Sequence, residues 1–356
     1  MVLWRPVPAE QREGGPLVAE ALRVGLVGCG SIAHAHLRGW KALGDRAVVT
    51  AVADADEGAL AWAQYELPGA ECYRDALELI EKASVDAVDI CLPHNLHRDA
   101  VVAAASAGRH VLCEKPLCLD MGEASTIKKA VEPAGIVMMC AHNQLQWPSV
   151  REAREIISSG RLGRPLFVRS LDCFRQRTRP GEPRRLPGWR GELGKAGGGE
   201  LLDTGYHPTY RLLYLAPAPV EDVTAFTSRL HLTDMPAEDT ANVLVSFADG
   251  TMGNIVTSWA FPMPAGNPAF QVVCEEGELF GGPAELGVAL RGFPPSTRSF
   301  ERVMGFSEEV KEFVRCIAEG TEPVSGLGSG TETLKVILAA YRSAEEGVRV
   351  RLGPTA

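Results

Sequence analysis

The chain has 356 residues, 46% of them apolar and 23% charged, which gives room for two ordinary domains with separate cores. A formal charge of −9 and a pI near 5.5 exclude a general affinity for nucleic acid or anionic membrane surfaces, so any basic site must be local. There is no apolar run of about 18 residues, the length a membrane-crossing helix needs.

Residues Met1 to Glu20 are polar, carry Pro6, Pro8 and Pro16, and lack the apolar stretch of a secretion signal. Residues 1–21 are expected to form a flexible extension of a cytoplasmic protein. The nine cysteines, scattered from Cys29 to Cys316 without a Cys-x-x-Cys pair, read as small hydrophobes in a reducing compartment. His94 and His97 come closest to a metal pair but have no thiolate or carboxylate set beside them, so no metal is expected.

The segment Val24-Gly25-Leu26-Val27-Gly28-Cys29-Gly30-Ser31-Ile32-Ala33 runs an apolar strand into a glycine turn that opens a helix. Gly28 suits the tight turn, Gly30 a close approach of backbone to phosphate, and Ala33 the packing of helix on strand. The helix start, with Ser31 and Ile32 in its first turn, offers free N–H groups and a partial positive charge to an anion. A second apolar strand, Ala47 to Ala53, follows. Asp54 at its end, twenty-one residues after Ala33, stands where an acidic group would bond ribose hydroxyls. The combination predicts a dinucleotide site.

Strands near 24–28, 47–53, 85–91, 110–114 and 136–140 alternate with segments of helical spacing. This is the pattern of an α/β doubly wound parallel sheet of Rossmann type, over residues 22–147. Gly108 closes a helix at 97–107, and Asp120-x-x-Glu123 resembles a capping box opening a helix to about Glu132. Ligands of such sheets bind outside the carboxyl ends of the strands. Two strand ends stand out: Pro93 to His97, and Glu114-Lys115-Pro116. A lysine at the mouth of a cofactor cleft can hold a substrate oxygen and stabilise developing negative charge; in isolation it also reads as a surface lysine in a turn.

Residues 148–356 change character and predict an α+β domain with an open, mainly antiparallel sheet. A helix starts at Pro148 and ends near Gly160; extended segments lie at 166–173, 220–230, 240–247, 251–259, 269–275 and 286–291, with Ala248-Asp249-Gly250 the clearest hairpin turn. Helices from Ser307 to Glu319 and from Thr331 to Glu346 close the chain. Between them, Gly197-Gly198-Gly199 leads to Asp203 and His207, a spacing that puts carboxylate and imidazole on one helix face. Imidazole is the natural proton acceptor near neutral pH; a helix-favouring Asp and a buried structural His are the competing reading.

Together these segments resemble the Gfo/Idh/MocA family of dehydrogenases. The resemblance rests on the 28–33 turn, Asp54, Pro93 with His97, the run Ala107 to Pro116 with its Glu-Lys-Pro element, and Gly198-Gly199 leading to Asp203-x-x-x-His207, in family order. It implies an N-terminal Rossmann domain, a C-terminal sheet used for dimer or tetramer contacts, and oxidation of a secondary alcohol on a sugar or cyclitol. By that resemblance Lys115 polarises the reacting oxygen, Asp203 positions substrate or Lys115, His207 takes the hydroxyl proton, Glu114 orients the loop, and the Lys115–Pro116 bond is cis. Asp54 would repel a 2′-phosphate and no Arg or Lys follows it at once, so NAD is expected over NADP.

Two segments bear on substrate. The family often has Arg or Lys after the 136–140 strand, whereas this chain has Asn143 and Gln144, which suit a neutral polyol. The loop 175–190 instead holds Arg175, Arg177, Arg179, Arg184, Arg185 and Arg190, a solvated face or a reach toward an acidic group, with Trp189 able to stack on a sugar or to pack. Three functions share this scaffold: an NAD-dependent sugar or cyclitol dehydrogenase, a redox-assisted glycosidase or lyase that retains its cofactor, and a non-catalytic NAD-sensing regulator. The joint presence of Lys115, Asp203 and His207 speaks against the last.

Overall fold

Strands covered by helices on both faces are short, unbroken apolar runs, as in Ala87-Val88-Asp89-Ile90, where all four residues are buried. The computed structural model describes residues 21–178 and 181–353; the expected N-terminal extension, apart from Ala21, and Arg179 of the arginine loop lie outside them. Six strands, β1 (Leu22–Val27), β2 (Ala47–Ala53), β3 (Glu71–Tyr73), β4 (Ala87–Ile90), β5 (His110–Cys113) and β6 (Met138–Cys140), pair in parallel in the order β3-β2-β1-β4-β5-β6. Their crossover helices are α1 (Ser31–Lys41), α2 (Glu57–Glu66), α3 (Ala76–Lys82), α4 (His97–Ser106) and α5 (Met121–Ala134). Strand order reverses between β1 and β4, which leaves a crevice at their carboxyl ends.

Local chemistry sets the helix starts. Asp56, Asp75 and Asp120 accept N–H bonds from Ala59, Glu78 and Glu123, respectively. Of these six strands only β3 escaped the sequence reading, because three largely exposed residues at a sheet edge carry no apolar run.

The C-terminal domain is built on a nine-stranded sheet, with α6 (Pro148–Ser158) packed against it. Its strands are β7 (Pro165–Cys173), β8 (Val220–Ser228), β9 (Thr240–Phe247), β10 (Met252–Ser258), β11 (Phe270–Cys274), β12 (Gly277–Gly282), β13 (Glu285–Leu290), β14 (Ser296–Ser299) and β15 (Val350–Arg351). The order is β14-β13-β12-β11-β7-β10-β9-β8-β15, with β7 and β10 parallel and every other neighbour antiparallel. The helices are α7 (Leu193–Ala196), α8 (Tyr206–Leu215), α9 (Phe306–Glu319) and α10 (Leu327–Glu346). α10 starts four residues before the expected Thr331, since Gly328 and Gly330 mask its first turn.

α6, α8 and α10 cover one face of this sheet. The other face is open, and along β9 buried Ala241, Val243 and Val245 alternate with outward Asn242, Leu244 and Ser246. α9 leaves its own sheet and packs on α1, where the Phe313 ring meets Trp40 edge-on at 6.3 Å. The two domains therefore share a core beside the crevice. No helix among the described residues is long and apolar enough to cross a membrane.

Candidate active site

The glycine turn has the shape its spacing predicts. Gly28 has φ +92° and lies so close to the next strand end that a Cβ would meet the Cys91 carbonyl oxygen at 2.5 Å. Space around Gly30 is open, no side chain caps α1, and its first turn contains no acidic residue. Ser31 is exposed and Ile32 half-buried on this turn, so the unpartnered N–H groups face an open crevice suited to a pyrophosphate. At the end of β2 the Asp54 carboxylate accepts from Cys29 N (2.7 Å) and Asp56 N (2.8 Å), which ties it to the same turn. These residues fit a dinucleotide.

Two strand-end segments complete the crevice wall. Pro93 precedes one turn of 3-10 helix, His94–Leu96. His97 is wholly buried between the Pro116 carbonyl (2.7 Å) and the Leu92 carbonyl (2.9 Å), stapling the segments after β4 and β5 together. Glu114 accepts the Lys115 N–H at 2.9 Å, and the Lys115–Pro116 bond is cis.

The second domain delivers its residues through a tightly wound turn. A Cβ at Gly199 would meet the Glu238 carbonyl oxygen at 2.1 Å, so only glycine lets this turn close. α8 proper starts at Tyr206, which leaves Asp203 in the turn before the helix rather than on the helix face that the four-residue spacing suggested. From there Asp203 reaches across the crevice. Lys115 Nζ donates to Asp203 Oδ1 (2.6 Å) and to its carbonyl (2.8 Å), while Arg190 Nε donates to Oδ2 (2.7 Å). Burial opposes the charge on Asp203, but Lys115 and Arg190 outweigh it and hold the carboxyl well below its usual range.

His207 lies at the start of α8 with its Nδ1 2.7 Å from the Tyr210 hydroxyl oxygen. That hydroxyl accepts Gln144 N–H (3.1 Å) and donates to Asn143 Oδ1 (3.3 Å), and Asn143 Nδ2 donates to the Met304 carbonyl (2.8 Å). With the phenol proton committed to Asn143, the His207 Nδ1 proton goes to the Tyr210 oxygen and Nε2 keeps its lone pair. Burial, followed by the nearby Lys115 ammonium, pushes the His207 imidazole well below its ordinary pKa, so the ring is neutral at pH 7.

The remaining expected residues divide. Half-buried Trp189 stands edge-on to His94 at 4.5 Å, with the Arg190 guanidinium 4.3 Å above its own ring. Asn143 and Gln144 are almost fully buried, and both ends of the Gln144 amide are engaged, with Asp172 at 3.0 Å and with Arg211. Sequence reasoning passed over Arg190 as one arginine among six, read His94 only beside His97 as a poor metal pair, and missed Tyr210 and Asn143's link to it. Only Tyr210 left a signal, three residues after His207 and so one helical turn away. In the same loop Arg175, Arg177, Arg184 and Arg185 are exposed.

A glycine turn for a dinucleotide, facing a lysine, a carboxylate and a neutral imidazole, defines a nicotinamide-dependent oxidoreductase. Residues 22–142 match the model of an oxidoreductase family with an NAD-binding Rossmann fold, and residues 150–280 match that family's C-terminal domain. The chain belongs to the GFO/IDH/MocA family. It is 27% identical over 342 residues to myo-inositol 2-dehydrogenase of Thermotoga maritima, covering 93% of this chain and 98% of the relative. It is 31% identical over 260 residues to 1,5-anhydro-D-fructose reductase of Ensifer adhaerens, covering 73% and 75%. Its fold is that of levoglucosan dehydrogenase solved with NADH and levoglucosan, with a TM-score of 0.84 at 24% identity over 94% of this chain and 100% of that one.

Proposed function

We propose that the protein oxidises a secondary alcohol of a sugar, sugar derivative or cyclitol, with Lys115, Asp203 and His207 as its catalytic residues. The observation that carries this reading is the convergence of three residues from two domains, Lys115 and Asp203 paired at 2.6 Å with the neutral, singly bonded His207 beside them. NAD, when bound, supplies the acceptor for the hydride that the carbinol carbon gives up.

His207 Nε2 takes the hydroxyl proton, and its positive charge is eased by the Tyr210 oxygen at Nδ1. Lys115 Nζ keeps one donor free after its two bonds to Asp203 and turns it on the same substrate oxygen. Proton loss and charge stabilisation then act on one atom, which lowers a single barrier. Asp203 fixes the ammonium, and Arg190 fixes Asp203. Trp189 offers a ring face to a sugar, and Asn143 and Gln144 shape the pocket from behind through Tyr210 and Asp172. Gly28, Gly30, Ser31, Ile32, Asp54, Pro93, His97 and Glu114 form the cofactor side, and Asp54 favours NAD over NADP. The nine cysteines, none of them paired, support a reducing cytoplasmic setting.

Self-association through the open sheet face belongs to the same reading. Phe226, Leu244 and Met252 stand on that face 78%, 48% and 56% exposed, an apolar stripe of the kind that marks an interface. Light scattering should give a dimer or tetramer, and Phe226→Asp should shift it toward the monomer; a wild-type monomer excludes the assembly. The function itself is tested by supplying NAD with a panel of inositols, hexoses, sugar acids and glycosides. NADH absorbance with a ketone product is expected, whereas turnover without net NADH would point to redox-assisted elimination, and no turnover on any panel member to neither.

A further inference from the structure

Beneath the crevice floor, α1, β4, β5 and α9 bring together charged groups that the reaction above does not use. His36 is fully buried on α1. Its Nδ1 lies 3.0 Å from both oxygens of Asp89, and its Nε2 3.1 Å from Glu114 Oε1. Asp89 is also fully buried and accepts Trp40 Nε1–H at 2.7 Å, with the Cys91 thiol at 3.6 Å. Glu114 Oε2, the other oxygen, holds the Lys115 N–H. The chain of bonds therefore runs from the cross-domain core through one imidazole to the backbone of the crevice lysine.

Ionised carboxylates accept hydrogen bonds and never donate, so a ring with a carboxylate at each nitrogen needs a proton on both. We propose that His36 is a positioning residue for this oxidoreductase, a buried imidazolium that holds the Glu114 carboxylate in place and so fixes the backbone of Lys115. The inference rests on Lys115 being catalytic. Burial resists the ring's charge, but the Asp89 carboxylate overrides it and raises the pKa well above the ordinary value. Glu309, from α9, comes within 4.0 Å of Nε2, yet its two oxygens are buried without a hydrogen-bond partner. Burial drives its pKa well up, which disfavours its charge and leaves the ring to Glu114. The Phe306 ring, at 5.8 Å, and Cys140 of β6, beside Glu114 and Glu309, close the site without adding charge. The ligand-type atoms of His36, Asp89 and Cys91 lie within 4.8 Å of one another, but this geometry is that of a hydrogen-bonded ion cluster whose atoms satisfy each other.

The steady-state test compares wild type, His36→Gln, Glu114→Gln and the double variant, with Lys115→Met as reference. His36→Gln should lower kcat at least tenfold while leaving the affinity for NADH and KM for the polyol within threefold. The double variant should lose no more than the worse single one. Unchanged kcat, a matching loss of NADH affinity or multiplicative losses overturn the proposal. If Lys115→Met is itself active, the underlying reading fails instead, which separates the two outcomes. Nitrogen NMR of histidine-labelled wild type needs no variant: one imidazolium with both nitrogens protonated should persist above pH 8, and its absence refutes the inference.

Discussion

Replacing Asp203 by Asn removes one negative charge from between two cations while keeping the shape of the side chain. Lys115 and Asp203 are each about 10% exposed and 2.6 Å apart. At an effective dielectric near 20 their gross attraction is about 6 kcal/mol. Desolvation of both ions offsets much of this, and cutting one member of a buried pair costs ~3–5 kcal/mol. The Arg190 arm adds little, because its guanidinium is 41% exposed and water screens it. Lys115 keeps its 2.8 Å bond to the Asp203 carbonyl, which places the loss at the lower end. About 3 kcal/mol in the transition state corresponds to a fall of roughly 100-fold in kcat/KM. The assay is NADH formation at saturating NAD with the best polyol, alongside NADH affinity from fluorescence quenching. A kcat/KM within threefold of wild type, or a parallel loss of NADH affinity, would refute the positioning role of Asp203.

Three further outcomes follow from the same geometry. Tyr210→Phe removes the acceptor of the His207 Nδ1 proton, so kcat should fall about tenfold with NADH affinity unchanged, a size set by one hydrogen bond at about 1–1.5 kcal/mol. Asp54→Ala should weaken NAD about tenfold and narrow its advantage over NADP, read from the two dissociation constants. Four buried histidines resist protonation: His94 and His142 are pushed by burial to about 3, and His97 and His207 lie below their usual value for the same reason. Because their folded pKa values are lowered, the unfolded chain binds more protons below pH 6.5, and each costs about 1 kcal/mol per pH unit there. His142→Gln should therefore gain stability relative to wild type as the pH falls from 7 to 5, read from the difference between the two melting temperatures; a difference that stays constant over that range would refute it.

How much of this could be read in advance depends on where the signal lies. Strands of the parallel sheet announced themselves as apolar runs, and the turn at Gly28 to Ala33 carried its own stereochemistry. β14 did not, since Ser296 to Ser299 are all exposed and polar, and β12 was hidden by Gly277, Gly281 and Gly282. Lys115 and Asp203 stand 88 residues apart in the chain. Their pairing was expected only through the family resemblance. Arg190 had no local mark to separate it from the other arginines of its loop. The His36 cluster joins partners 53 and 78 residues away, and a lone histidine on a helix gives no hint of two carboxylates waiting for it.

The central claim is that one substrate oxygen sits between Lys115 Nζ and His207 Nε2. A crystal structure of the ternary complex with NADH and the polyol found by screening measures this directly. The account predicts both nitrogens within about 3.2 Å of the oxygen on the carbon facing the nicotinamide. An oxygen lying beyond a single water-bridged span from either nitrogen would contradict it.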